Sequence, residues 1–153
     1  MAPAQKIVSG AGSLDPRAEI FRHRFSPIIV LTSGRAAAAS LRRLRGVADE
    51  VEVCGEKEID FGAALRWLGK KWKVRRLLGE GGGEVNGALF KAGLVDELHL
   101  TLCPLIFGGR DAPTLADGAG VGKLADAARL RLVSMKHDDG RVFLVYGRRK
   151  GTA

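Results

Sequence analysis

At 153 residues, 46% hydrophobic and 27% charged, the chain is long enough to bury one core and too short for two ordinary domains. Only two cysteines, Cys54 and Cys103, are present, both in apolar strand contexts, which excludes a disulfide-rich secreted scaffold. No apolar run follows Met1 or reaches membrane-spanning length, so a cytoplasmic chain with free thiols and no membrane partner is expected; the net charge of +8 calls for an explanation of its own.

Lys6-Ile7-Val8-Ser9 reads as a short strand, stopped by the turn chemistry of Gly10 through Pro16. Ile28-Ile29-Val30-Leu31 is a continuous apolar run, the pattern of a strand covered on both faces. Thr32-Ser33-Gly34 ends it before a helix predicted over residues 36–45, and Val51-Glu52-Val53-Cys54 is the next strand. Asp60 is placed to cap a helix in which Phe61, Leu65, Leu68 and Trp72 recur at helical spacing.

Residues 73–78 are predicted as a strand that feeds the run Gly79-Glu80-Gly81-Gly82-Gly83-Glu84. Behind it, Val85, Ala88, Leu89 and Ala92 share one helical face, and Gly93 supplies the left-handed stop. Glycines at a helix start can present unpaired backbone N–H groups to a phosphate. The spacing is neither a G-x-G-x-x-G fingerprint, because Glu84 sits where the third glycine would be, nor a Walker loop, because the lysine is absent. From the loop alone, a phosphate cradle and a tight packing turn both stand open.

Residues 95–103 alternate as a strand, with Leu98, Leu100 and Leu102 on one face and His99 on the other, where a half-exposed packing role is expected for it. Two final strands, residues 129–134 and 142–146, flank His137-Asp138-Asp139-Gly140, whose Asp-Gly step signals a hairpin. Strand-helix alternation with an antiparallel end gives an α/β domain with a mixed sheet.

Basic clusters at Arg42-Arg43-Leu44-Arg45, Lys70-Lys71-Trp72-Lys73-Val74-Arg75-Arg76 and Arg148-Arg149-Lys150 raise nucleic-acid binding as an alternative, with Trp67 and Trp72 available for stacking. They sit at a helix end, a helix-to-strand connection and the tail, ordinary places for solvated charge, and no nucleic-acid module motif accompanies them. His23, His99, His137 and the two cysteines have no metal-ligand spacing, so no metal site is expected. Ser33 and Ser134 lack a nucleophile-elbow context.

Glu80-Gly81-Gly82-Gly83, the helix with Asn86, Gly93-Leu94-Val95-Asp96-Glu97, and Pro104 followed by Ile106-Phe107-Gly108-Gly109 and Ala112-Pro113-Thr114 together resemble the reductase domain of riboflavin biosynthesis. This is the pyrimidine reductase family related in fold to dihydrofolate reductase. Ile7-Val8-Ser9 and Leu130-Arg131-Leu132 fall in register near the two ends, so the resemblance covers nearly the whole chain.

The resemblance implies a dihydrofolate-reductase-like mixed sheet with helices on both faces and a C-terminal antiparallel hairpin. It implies NADPH-dependent reduction of the ribosyl group of 5-amino-6-(5-phosphoribosylamino)uracil, or its relative, to the ribityl form, in a homodimer. Gly81, Gly82, Gly83 and Glu84 then correspond to the loop against the cofactor diphosphate. Val8, Ser9, Gly10 and Ala11, with Thr32 and Ser33, correspond to strand ends near the adenosine and its 2′-phosphate, and Glu80 to a residue near the phosphorylated pyrimidine substrate. No catalytic residue is assigned. The family's opening strand, first helix and threonine-bearing segment have no counterpart in this sequence, so a single, N-terminally truncated domain over residues 1–153 is expected, without turnover of its own. A non-catalytic nucleotide-binding or assembly module with the same fold is the alternative from another class.

Overall fold

The uninterrupted apolar run at residues 28–31 has a direct structural consequence in the computed structural model of the chain, which describes residues 4–23 and 25–149. It becomes β2 (Ile28–Thr32), a strand with all five residues buried. Residues 1–3 and Lys150, the end of the third basic cluster, lie outside the described residues. The chain divides into two compact units, Met1–Leu77 and Leu78–Ala153.

In the first unit β2 is the centre of a parallel sheet, flanked by β1 (Gln5–Val8) and β3 (Glu50–Val53) in the order β1-β2-β3. The register pairs Gln5 with Ile28 and Val8 with Leu31 on one side, and Ile29 with Glu50 and Thr32 with Val53 on the other. Successive side chains of a strand point to opposite faces, so an all-apolar strand needs cover on both. Ile28 and Val30 pack with Phe21 of α1 (Glu19–Arg22) and Leu44 of α2 (Ala38–Arg45). Ile29 and Leu31 pack with Ala64 and Leu68 of α3 (Phe61–Lys71) and with Cys54. Fully burying a side chain such as Leu68 contributes on the order of 2 kcal/mol. The predicted cap of α3 is present: Asp60 accepts a 2.8 Å hydrogen bond from the Ala63 N–H.

The segment predicted as a strand over residues 73–78 is not one. Lys73 turns the chain with φ of 54°, and the residues that follow find no strand partner among the described residues. Leu77 and Leu78 are exposed.

The second unit begins with the glycine run and α4 (Gly83–Lys91). Gly93, at φ of 65°, ends the helix turn in the left-handed region as expected. β4 (Glu97–Leu102), β5 (Leu130–Asp138) and β6 (Arg141–Arg148) form an antiparallel sheet in the order β4-β6-β5, so the parallel and antiparallel strands belong to two hydrogen-bonded sheets. Asp139 and Gly140 both have positive φ, 47° and 71°, which makes the two-residue turn whose twist matches the flanking strands. A register shift between Leu132 and Ser134 interrupts β5.

Candidate functional site

The first group of candidate residues gathers at the carboxyl end of the parallel sheet, the edge where open α/β sheets receive ligands. Val8 closes β1, with its side chain packed against the core beside Ile29 and Leu31. The chain then turns: Ser9 N–H donates to the Leu31 carbonyl at 3.0 Å, Gly12 N–H to the Ser9 carbonyl at 3.1 Å, and Ser13 N–H to Ser9 Oγ at 3.2 Å. Gly10 and Ala11 are exposed, and a Cβ on Gly10 would meet nothing within 4 Å.

Thr32 and Ser33 are brought to the same place, but facing inward. Both are 0% exposed. The Ser33 hydroxyl donates to the Gly10 carbonyl at 2.7 Å, with the Lys57 carbonyl at 3.3 Å as a second acceptor. Thr32 Oγ1 and the Ser33 N–H reach the same Gly10 carbonyl, each at 3.2 Å. These hydroxyls therefore hold the residue 9–11 turn in place. Two further residues help to pin the edge without any sequence signal: Gly34 donates to the Gly55 carbonyl at 2.9 Å, and Gly55 itself needs a φ of 89°.

The second group lies in the other unit, at the start of α4. No side chain caps this helix. The N–H groups of Gly83, Glu84 and Val85 find no acceptor among the described residues; the first intrahelical bond runs from Asn86 N–H to the Gly82 carbonyl at 3.1 Å. Three free amides at a helix N-terminus, with the positive end of the dipole behind them, favour an anion. Gly82 is exposed and a Cβ there would meet nothing within 4 Å, whereas one on Gly81 would lie 2.8 Å from Val85 Cβ. Gly83 is buried. Glu80 is exposed and has no polar partner among the described residues, and Glu84 stands in the first helical turn, where a carboxylate suits the dipole.

Much of the positive charge has a structural place. Arg42, Arg43 and Arg45 occupy the last turn of α2, and Lys70 and Lys71 that of α3, where cations complement the negative helix end. Lys71 is also tied to Glu50 at 2.5 Å and lies over the Trp67 ring. His99 is exposed beside Glu97, with Nε2 at 3.2 Å from the carboxylate. Burial pushes the Cys54 thiol above its ordinary pKa, with the charges of Glu52 and Asp60 adding to the effect, so it makes a poor nucleophile. Among the described residues no group of three or more His, Cys, Asp or Glu could hold a metal ion, and no helix is long and apolar enough to cross a membrane.

Comparison with known proteins gives this arrangement its context. Residues 1–144 match the family model of the RibD C-terminal domain. The chain is 35% identical over 130 residues to the 2,5-diamino-6-ribosylamino-4(3H)-pyrimidinone 5′-phosphate reductase of Methanothermobacter thermautotrophicus, covering 85% of this chain and 59% of that protein. It is 31% identical over 132 residues to the Aquifex aeolicus protein of the same name, covering 86% of this chain and 58% of that one. It thus spans about three fifths of these relatives. Among solved structures, a pyrimidine reductase-like protein from Corynebacterium diphtheriae superimposes with a TM-score of 0.76 at 25% identity, covering 97% of this chain and 62% of that one. Acinetobacter baumannii RibD shares the fold, with a TM-score of 0.71 at 21% identity over 95% of this chain and 37% of its own. With the model match running from residue 1 to residue 144, this chain belongs to the RibD C-terminal domain family.

Proposed function

We propose that residues 1–153 form a single domain of the riboflavin-biosynthesis reductase type. In this reading the reaction it serves is reduction of the ribosyl group of 5-amino-6-(5-phosphoribosylamino)uracil, or of the diaminopyrimidinone phosphate for which its curated relatives are named, to the ribityl form, and residues 1–153 by themselves are expected to show no turnover. The observation that carries the reading is the set of free amides at Gly83, Glu84 and Val85 behind an exposed glycine, in a chain of this family. NADPH, when bound, supplies the hydride; the protein supplies binding and orientation.

Each of the two groups of residues, taken by itself, has features suited to part of a dinucleotide phosphate. Gly81, Gly82, Gly83 and Glu84 would hold its diphosphate, with the amides as donors and no Cβ at Gly82 to obstruct approach. Val8, Ser9, Gly10 and Ala11 would take the adenosine and 2′-phosphate through the exposed turn at residues 10 and 11, and Thr32 and Ser33 would serve by fixing the Gly10 carbonyl. Glu80, exposed and unpartnered among the described residues, would face the pyrimidine substrate. Localisation is proposed to be cytoplasmic.

A homodimer is part of this reading. One face of the antiparallel sheet carries Leu98, Leu100 and Leu102 opposite Tyr146, Leu144 and Val142. Leu102 is 50% exposed and Met135 67%, and the loop beyond β4 presents Leu105, Ile106 and Phe107 at 67%, 97% and 95%. An apolar run so exposed suits burial against a second copy.

Calorimetric titration with NADPH tests the cofactor assignment. The Cβ of Gly82→Val would meet no atom within 4 Å and the residue keeps a permissible φ of −72°, so the variant should fold and lose binding. Equal affinity in the variant and the parent would remove the loop from the site.

A further inference from the structure

Ala112-Pro113-Thr114 form part of the resemblance to the family, yet the proposed function gives no work to them or to residues 115–117 that follow. The structure does. After β4 the chain returns to the first turns of α4 and makes a set of polar contacts there. The Asn86 side-chain N–H donates to the Leu115 carbonyl at 3.0 Å. The Asp117 N–H donates to the Gly83 carbonyl at 2.8 Å. Asp117 Oδ1 accepts from the Thr114 hydroxyl, and from the Thr114 N–H at 3.3 Å.

These contacts are possible because one face of α4 lacks side chains. A Cβ on Gly83 would overlap the Asp117 carboxylate and would stand 2.9 Å from the Thr114 carbonyl oxygen. A Cβ on Gly87, one turn further on, would overlap the Asp117 carbonyl. Glycine inside a helix costs up to about 1 kcal/mol relative to alanine, a cost that Gly87 carries, and the bare face it shares with Gly83 at i and i+4 is explained by what lies against it. Here it is the backbone and carboxyl of Asp117, with the Thr114 carbonyl beside them.

We propose that Asp117 is a positioning residue for the glycine loop: it seats residues 114–117 in the groove left by Gly83 and Gly87 and so fixes the direction in which the first-turn amides of α4 point. This rests on the reading of that loop as the cofactor diphosphate site. The carboxylate acts through its bonds to Thr114 rather than through its charge, because a negative charge beside an anion site opposes the anion. Without the seat, the Gly81-Gly82-Gly83 run has no side chains of its own to hold one conformation, and ordering it on binding costs affinity.

Titration of the full chain with NADPH tests the proposal, with folding of each variant checked by far-ultraviolet circular dichroism. Asp117→Ala should weaken binding by about tenfold or more. Asp117→Asn keeps an oxygen acceptor for Thr114 while removing the charge, and should recover affinity to within roughly threefold of the parent. Thr114→Val, at an exposed position, removes the hydroxyl donor and should weaken binding in the same direction as Asp117→Ala; it decides the matter if Asp117→Ala does not fold. Parent-like affinity in Asp117→Ala would overturn the proposal, as would an Asp117→Asn variant as weak as the alanine. If the parent chain itself binds no NADPH, the cofactor reading fails and the proposal falls with it; binding by the parent with unchanged Asp117→Ala sinks the proposal alone.

Discussion

Ser33→Ala separates two roles that a site hydroxyl can have. The residue is fully buried, and its proton goes to the Gly10 carbonyl at 2.7 Å in preference to the Lys57 carbonyl at 3.3 Å. Removing the hydroxyl deletes one short hydrogen bond. The Gly10 carbonyl keeps two other donors, the Ser33 N–H and Thr32 Oγ1, so it is not left unsatisfied. The Arg35 N–H, 3.4 Å from Ser33 Oγ, sits on an exposed residue that water can serve. The loss should therefore be that of a single net hydrogen bond, about 1 kcal/mol, and not the larger penalty of an orphaned acceptor. Urea unfolding followed by intrinsic fluorescence measures it, since Trp67 and Trp72, the two tryptophans of the chain, both lie in the unit that contains Ser33. NADPH affinity in the same variant should fall by no more than about threefold, because the hydroxyl fixes the Gly10 turn and does not itself meet the ligand. Unchanged stability combined with a loss of binding of about thirtyfold or more would refute this reasoning and put the hydroxyl on the cofactor.

The remaining expectations concern the thiols and the oligomer. Cys54 is 5% exposed with a raised pKa, and Cys103 is exposed, so iodoacetamide should modify Cys103 first; because less Cys54 thiolate exists at any given pH, its labelling should lag and climb only as the pH rises beyond the ordinary cysteine range, which mass spectrometry of the digested protein reads directly. Prior labelling of Cys54 at neutral pH would contradict the buried placement. Ile106→Glu with Phe107→Glu should leave the far-ultraviolet circular dichroism of the folded chain unchanged, as both side chains are almost wholly exposed in the single chain, while converting a dimer to a monomer in sedimentation velocity. A parent chain that sediments as a monomer at tens of micromolar, an order-of-magnitude choice at which a weak dimer persists, would remove the interface assignment.

What this sequence determines by itself is what a few neighbouring residues can encode. The apolar run at residues 28–31 specifies a strand covered on both faces, Asp60 specifies the start of α3, Gly93 the end of α4, and Asp139-Gly140 the last hairpin, because each signal acts within one turn or one strand of itself. The motif run from Glu80 to Thr114 likewise carries the family. Tertiary structure decided the rest. Residues 73–78 have the composition of a strand, but a strand exists only where a partner accepts its backbone, and none does so among the described residues. Thr32 and Ser33 are legible as hydroxyls at a strand end; that they turn inward onto the Gly10 carbonyl depends on a parallel neighbour more than twenty residues away. The pairing of Asp117 with Gly83 and Gly87 joins positions about thirty residues apart through a returning loop. Two glycines at i and i+4 leave one helix face bare, but only the folded chain identifies the residue that fills it, since contact between distant segments is fixed by packing and not by local spacing.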